Sequence, residues 1–139
     1  MKRHAKRSFQ GSKGEFVKII RELCYSRQPW EVWSDVITVM ACSIANAVDK
    51  SPKRHENREK EYAECIKRLG GVEKPAQLFA ILVEELEAKP DQDFLGELYM
   101  TLELGNHWKG QFFTPYNICQ LMSEMTMGDC QKAIEKDGW

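Results

Sequence analysis

Residues 29–48 read PWEVWSDVITVMACSIANAV. Over this stretch only Glu31 and Asp35 carry charge. Trp30, Trp33, Val36, Ile37, Met40, Ile44 and Val48 recur at helical spacing and lie nearly all round the cylinder. A helix apolar on most of its circumference is a buried one, so this segment is expected to be the central helix of the domain. Pro29 opens it, and a proline in the first helical turn removes only an N–H that has no partner there anyway.

The flanking segments repeat the theme. Before it, from about Ser12, residues Phe16, Ile19, Ile20, Leu23 and Cys24 form one stripe. After it, a charged segment of roughly residues 53–69 carries the narrow stripe Tyr62, Cys65, Ile66 and Leu69 and ends at Gly70-Gly71. A fourth helix, about 75–88, buries Leu78, Phe79, Leu82, Val83 and Leu86. A fifth begins after Asp91, carries Phe94, Leu95, Leu98, Tyr99 and Leu102, and runs to Gly105. A sixth starts at Thr114-Pro115 with Ile118, Leu121, Met122 and Met125, and a weak seventh covers about 129–136. Pro29, Pro52, Pro75, Pro90 and Pro115 each precede one of these patterns. No alternating run of β-branched residues is bounded by hairpin turns. The expected fold is all-α, a single helical bundle of about six or seven helices, in one domain spanning residues 1–139.

At 139 residues the chain is long enough to bury roughly two thirds of the surface its unfolded form exposes. No apolar run approaches the ~20 residues that span a bilayer, and the basic start Met1-Lys2-Arg3-His4-Ala5-Lys6-Arg7 has no apolar region behind it to make a signal peptide. The expected location is cytoplasmic, with no membrane partner. Five cysteines (24, 42, 65, 119 and 130) are widely spaced with no CxxC pair. They read as small buried hydrophobes in a reducing compartment. His4, His55 and His107 never stand at ligand spacing from a cysteine, so no zinc site is expected.

Net charge is −1, but residues 1–70 hold fifteen Lys/Arg against nine Asp/Glu, whereas residues 71–139 hold five against twelve. The basic half contains the arm of residues 1–11 and the run Lys50-Ser51-Pro52-Lys53-Arg54-His55. Such clusters suit nucleic-acid phosphates, which reward Lys and Arg through counterion release. In the second run Glu56, Glu59 and Glu61 interleave with the bases, and a solvated helix start is the expectation there.

The stretch with most chemistry is GNHWKGQFFTPYNICQLM, residues 105–122. With Thr114 as N-cap, Pro115 is the first helical residue and Phe113 packs on Ile118 as a hydrophobic staple. The Thr114 hydroxyl then accepts from the amide of Tyr116 or Asn117. That is a complete structural account. The same atoms also allow a small anionic or zwitterionic ligand: a helix start favours a carboxylate or phosphate, and Trp108, Phe112, Phe113 and Tyr116 offer aromatic faces.

Gly110-Gln111-Phe112-Phe113-Thr114-Pro115, followed by Ile118 and Leu121-Met122, resembles a motif of the adenine-specific (N6) DNA methyltransferases, including the modification subunits of type I restriction systems. The family's version reads Gly-Gln/Glu-Phe-Phe/Tyr-Thr-Pro and opens a helix. Phe94-Leu95-Gly96-Glu97-Leu98-Tyr99 also resembles that family's helical N-terminal region. The resemblance is tight over residues 94–122 and loose elsewhere. It implies a contribution to an S-adenosylmethionine pocket, with Phe113, Thr114 and Pro115 as cofactor contacts and Gly110 and Phe112 shaping the turn, within a loop-and-helix unit at 105–126. Lys2, Arg3, Lys6 and Arg7 become candidate contacts to DNA phosphates.

The family's catalytic tetrapeptide, Asp/Asn-Pro-Pro-Tyr/Phe, needs adjacent prolines, and none of the five here are adjacent; nor is there a Gly-x-Gly cofactor loop. Residues 136–139 fall where the family's next strand is expected. The chain is therefore expected to act as an N-terminal domain, not catalytic alone, whose partners are DNA and a catalytic methyltransferase domain or subunit. An uncovered apolar face around Trp108, Phe112, Phe113, Tyr116 and Met122 would allow a homodimer. The alternative is a stand-alone helical binding module pairing with DNA or a separate catalytic chain. An unrelated small enzyme built on Glu84-Glu85 or Asn106-His107 has little behind it, since such surface groups are ordinarily solvated.

Overall fold

The structure, a computed structural model, describes residues 11–102, 104, 114–128 and 136. Among them are six α-helices and no strand: α1 (Ser12–Leu23), α2 (Pro29–Val48), α3 (Pro52–Leu69), α4 (Glu73–Ala88), α5 (Phe94–Thr101) and α6 (Tyr116–Met127). The all-α expectation holds. The chain forms two compact units, Met1–Leu104 with α1 to α5 and Gly105–Trp139 with α6. The seventh helix expected over 129–136 lies outside the described residues apart from Lys136.

In the first unit α2 packs most extensively on α3 and also against α1 and α4, while α4 meets α5. The core is drawn from one face of each: Phe16 and Ile20, Val32 and Val36, Cys65 and Leu69, Leu78 and Leu82, Phe94 and Leu98. Phe16 is the hub of an aromatic chain. Its ring meets Phe94 edge-on at 5.5 Å and Trp33 at 6.3 Å, and Trp33 meets Tyr99 at 6.0 Å. Three helices are thereby joined by ring contacts of the favoured T-shaped kind.

The expectation for residues 29–48 needs correction. α2 is central, but it is not buried all round. Val32, Trp33, Val36, Val39 and Met40 face the core, whereas Trp30, Ile44 and Val48 are 60, 54 and 75% exposed. At 100° per residue, positions 30, 34, 41, 44 and 48 fall within one narrow sector, and this is the face that α1, α3 and α4 leave uncovered. The statement that no apolar run approaches bilayer length is also corrected: by length and composition α2 is long and apolar enough to cross a membrane, the one such helix among the described residues. Its inner face packs like a core helix and holds the buried Asp35.

Helix ends follow local chemistry. Pro52 and Pro29 sit at the first helical positions. α3 stops where Gly70 turns left-handed (φ 79°), with the Gly71 amide donating to the Ile66 carbonyl at 3.2 Å and the Gly70 amide to Lys67 at 3.3 Å. Any Cβ at φ 79° is strained, so Gly70→Ala is expected to cost about 1 kcal/mol. An unchanged urea midpoint would show that the turn tolerates a side chain. α4 starts two residues earlier than the expected Pro75, because a first-turn proline gives up only an orphan N–H. α5 ends at Thr101 rather than Gly105. The chain instead folds back there, the Leu104 amide donating to the Tyr99 carbonyl at 3.3 Å and the Tyr99 hydroxyl to the Leu104 carbonyl at 3.2 Å. Asp93 caps α5 by accepting from the Gly96 amide at 2.8 Å, and its carboxylate lies 2.0 Å from where a Cβ on residue 96 would stand.

The cysteines divide. Cys42 and Cys65 are buried, Cys24 is half-buried, and burial pushes the thiols of all three up. Cys119 is exposed, contrary to the expectation of a buried hydrophobe. Cys130 lies outside the described residues.

Candidate functional site

Of the residues singled out by sequence, Lys2, Arg3, Lys6, Arg7, Gly110, Phe112 and Phe113 lie outside the described residues, as does Trp108. Thr114 and Pro115 are described, and both are exposed. They stand at the start of a helix as expected, but one position out of register. Pro115 has φ −54° and ψ 139°, extended rather than helical, and its carbonyl accepts from Ile118 at 2.9 Å and Cys119 at 3.1 Å. Pro115 is therefore the N-cap, and Tyr116 is the first helical residue. Thr114 is pushed outside the helix, because the residue before a proline is driven from the helical region. Proline, as N-cap, has no side-chain oxygen with which to cap the helix. The Thr114 carbonyl accepts from the Cys119 thiol at 3.7 Å.

Along α6 the stripe Ile118, Leu121, Met122 and Met125 is 41, 52, 58 and 79% exposed, and no residue of the helix is buried. The helical spacing identified the stripe, but these residues do not form a core. Tyr116 is half-buried.

The first unit brings together a group that the sequence reading passed over. Asp35, 6% exposed, is the buried charged residue of the described core. Arg68 of α3 grips it with two nitrogens, Nη2 to Oδ1 at 2.7 Å and Nε at 3.1 Å, and Arg27 from the α1–α2 loop reaches Oδ2 at 2.7 Å. Arg27 also donates to the Arg68 carbonyl at 3.4 Å. Burial alone pushes the Asp35 carboxyl up, but the hydrogen bonds and charges of Arg68 and Arg27 outweigh it and hold it below the ordinary range. The same pairing raises Arg68. The available signal was a lone carboxylate on an otherwise apolar helix, which is stable only with a partner.

Arg27 and Arg68 line an open cleft of about 700 Å³ together with Glu22, Gly70, Gly71 and Lys74. The two arginines share Asp35, and Lys74 pairs with Glu22 at 3.1 Å, so these cations are already matched by carboxylates. The cluster ties α2, α3 and the α1–α2 loop together and holds no arrangement of nucleophile, base and oxyanion donor. Comparison with protein-family models, with curated proteins and with solved structures finds no match to this chain.

Proposed function

We propose that this chain is the helical N-terminal domain of an adenine-specific DNA methyltransferase, contributing DNA contacts and one wall of an S-adenosylmethionine site and not catalytic by itself. The observation that carries the reading is the run Gly110-Gln111-Phe112-Phe113-Thr114-Pro115, with α6 beginning at Tyr116 directly after it. The helix follows the run directly, in keeping with the resemblance, and the N-terminus of a helix favours a carboxylate. In this reading Phe113, Thr114 and Pro115 line the methionine end of the cofactor, Gly110 and Phe112 set the turn, and Lys2, Arg3, Lys6 and Arg7 touch DNA phosphates. The partner is a catalytic methyltransferase domain or subunit, and the location is the cytoplasm.

The test is methyl transfer by the native assembly. The protein is immunoprecipitated from its source and incubated with duplex DNA and methyl-labelled S-adenosylmethionine. Label on the adenine amino group is expected, and Phe113→Ala is expected to raise KM for the cofactor about tenfold, the equivalent of 1.4 kcal/mol. An assembly that transfers no methyl group, or one indifferent to residue 113, counts against the reading.

A second reading, a stand-alone binding module, is favoured by the exposed stripe on α6. It predicts a stable complex of this chain, as a homodimer or with a catalytic chain, that Leu121→Glu with Met125→Glu disrupts in sedimentation. A monomer at all concentrations, alone and with the catalytic chain, would exclude it.

A further inference from the structure

We propose that the corner between α2 and α3, presenting Lys50, Lys53 and Arg54 with His55 beside them, is a second contact surface for the phosphate backbone of duplex DNA. The inference rests on the DNA-methyltransferase reading and adds to it a surface outside the N-terminal arm.

The sequence pattern alone argued for a neutralised helix start, because Glu56, Glu59 and Glu61 interleave with the bases. The structure takes two of these carboxylates away. Glu59 accepts from Asn46 of α2 at 2.6 Å and so is turned to the helix pair, and Glu56 pairs with Lys60 one turn further along at 2.7 Å. Asp49, the C-cap of α2, is the one acid at the corner itself, and it is heavily shared. It accepts the Ser51 amide at 2.9 Å, Arg58 at 3.0 Å and Arg54 at 3.2 Å. The Ser51 amide first, then Arg58, hold its carboxyl below the usual range against an opposing contribution from burial, with the charge of Arg54 adding to them. Arg58 is further fixed by its hydrogen bonds to the Asn46 side chain and the Asp49 carbonyl. The corner is thus a rigid, hydrogen-bonded turn.

From that turn the cations project outward. Lys50 rests on the Ala47 carbonyl at 2.8 Å, and the Arg54 side chain is 71% exposed. Among the described residues no carboxylate lies within ion-pair distance of Lys53 or His55. Lys50 and Arg54 also serve the fold, through the Ala47 carbonyl and Asp49, whereas Lys53 and His55 make no such contact among the described residues. Cations at a helix N-terminus oppose its dipole. The first turns of α1, α2, α4 and α5 each carry a glutamate, Glu15, Glu31, Glu73 and Glu97, whereas those of α3 and α6 carry none, and of these two only α3 places Lys and Arg there. Lys53 and His55, which oppose the α3 dipole without a partner in the fold, are the part of the corner that an outside partner would account for.

A closely spaced set of exposed Lys and Arg side chains on a rigid turn complements a phosphate array. No Phe, Tyr or Trp occurs between residues 49 and 58, so the corner has no platform on which an unpaired base could stack. That favours the backbone of a duplex over a single strand, bound without regard to sequence.

The test titrates a labelled 20-bp duplex with the full chain at salt concentrations from 50 to 200 mM, comparing wild type with the triple variant Lys50→Gln, Lys53→Gln, Arg54→Gln. All three side chains are at the surface, and circular dichroism verifies that the variant keeps its helices. With three phosphate contacts removed, the slope of log affinity against log salt is expected to shrink by about 2 to 3. A wild type that binds while the variant keeps its affinity and slope overturns the corner and leaves the methyltransferase reading standing. Absence of duplex binding by wild type at 50 mM salt overturns the corner, and methyl transfer by the native assembly decides the methyltransferase reading separately. A single-stranded 20-mer bound more tightly than the duplex, with the same loss in the variant, overturns the assignment to duplex DNA.

Discussion

Phe16→Ala is expected to destabilise the α1–α5 unit by about 4 kcal/mol. Phe16 is fully buried and joins α1 to α5 through Phe94 and to α2 through Trp33. Truncation removes the transfer energy of a benzyl group and leaves a cavity whose walls are two other large rings. Those rings are themselves anchored, Trp33 against Tyr99 and Phe94 on the Asp93-capped helix, so the cavity collapses poorly. Urea unfolding followed by helical ellipticity measures the loss. Phe16→Leu, which refills most of the volume, is expected to lose roughly half as much. Met125→Ala on the exposed face of α6 is expected to change stability by less than about 0.5 kcal/mol. Equal effects from Phe16→Ala and Met125→Ala would mean that the aromatic chain does not organise the core.

Asp35→Ala is expected to cost about 3 kcal/mol. The loss comes from the partners left behind: Arg27 and Arg68 then face one another across the α2–α3 packing with no anion between them. Arg68 is about half exposed and can swing into water, which keeps the cost at the low end for a broken buried pair. Combining Asp35→Leu with Arg68→Met, which swaps the grip for apolar contact, is expected to recover most of the loss. The pH dependence has a definite sign. The folded Asp35 carboxyl sits below its unfolded value, so its contribution is fully present above about pH 4 and disappears as pH falls through the folded value. Wild-type stability should therefore fall in acid more steeply than that of Asp35→Asn. Parallel acid profiles for the two proteins would show that the cluster contributes no linkage.

The helices were legible because their stripes and stops are local. The i, i+3, i+4 spacing of Phe16, Ile19 and Ile20, of Cys65 and Leu69, and of Leu78 and Leu82 places each set on one face whatever the partner is. Pro29, Pro52 and Gly70-Gly71 act through φ angles and missing N–H groups of the residues themselves. The entrance to α6 was nearly legible. Threonine and proline side by side announce a helix start, but which of them caps it depends on the ψ angle of Pro115, and the residue types alone allow either assignment.

By itself the sequence determined that this protein is helical, where its helices lie to within a few residues, and which face of each is apolar, because these follow from periodicities and backbone preferences within a few residues of chain. Only the tertiary structure decided which apolar faces are covered. Trp30, Ile44 and Val48 are as hydrophobic as Val32 and Val36, yet they point away from α1, α3 and α4. The same holds for charge. Asp35 becomes a buried anchor only when Arg27 and Arg68 arrive from elements 8 and 33 residues away, and the corner at Lys53 becomes basic only when Asn46 draws Glu59 toward α2. Burial and pairing are properties of neighbours brought together across the chain, and no short window of sequence contains them.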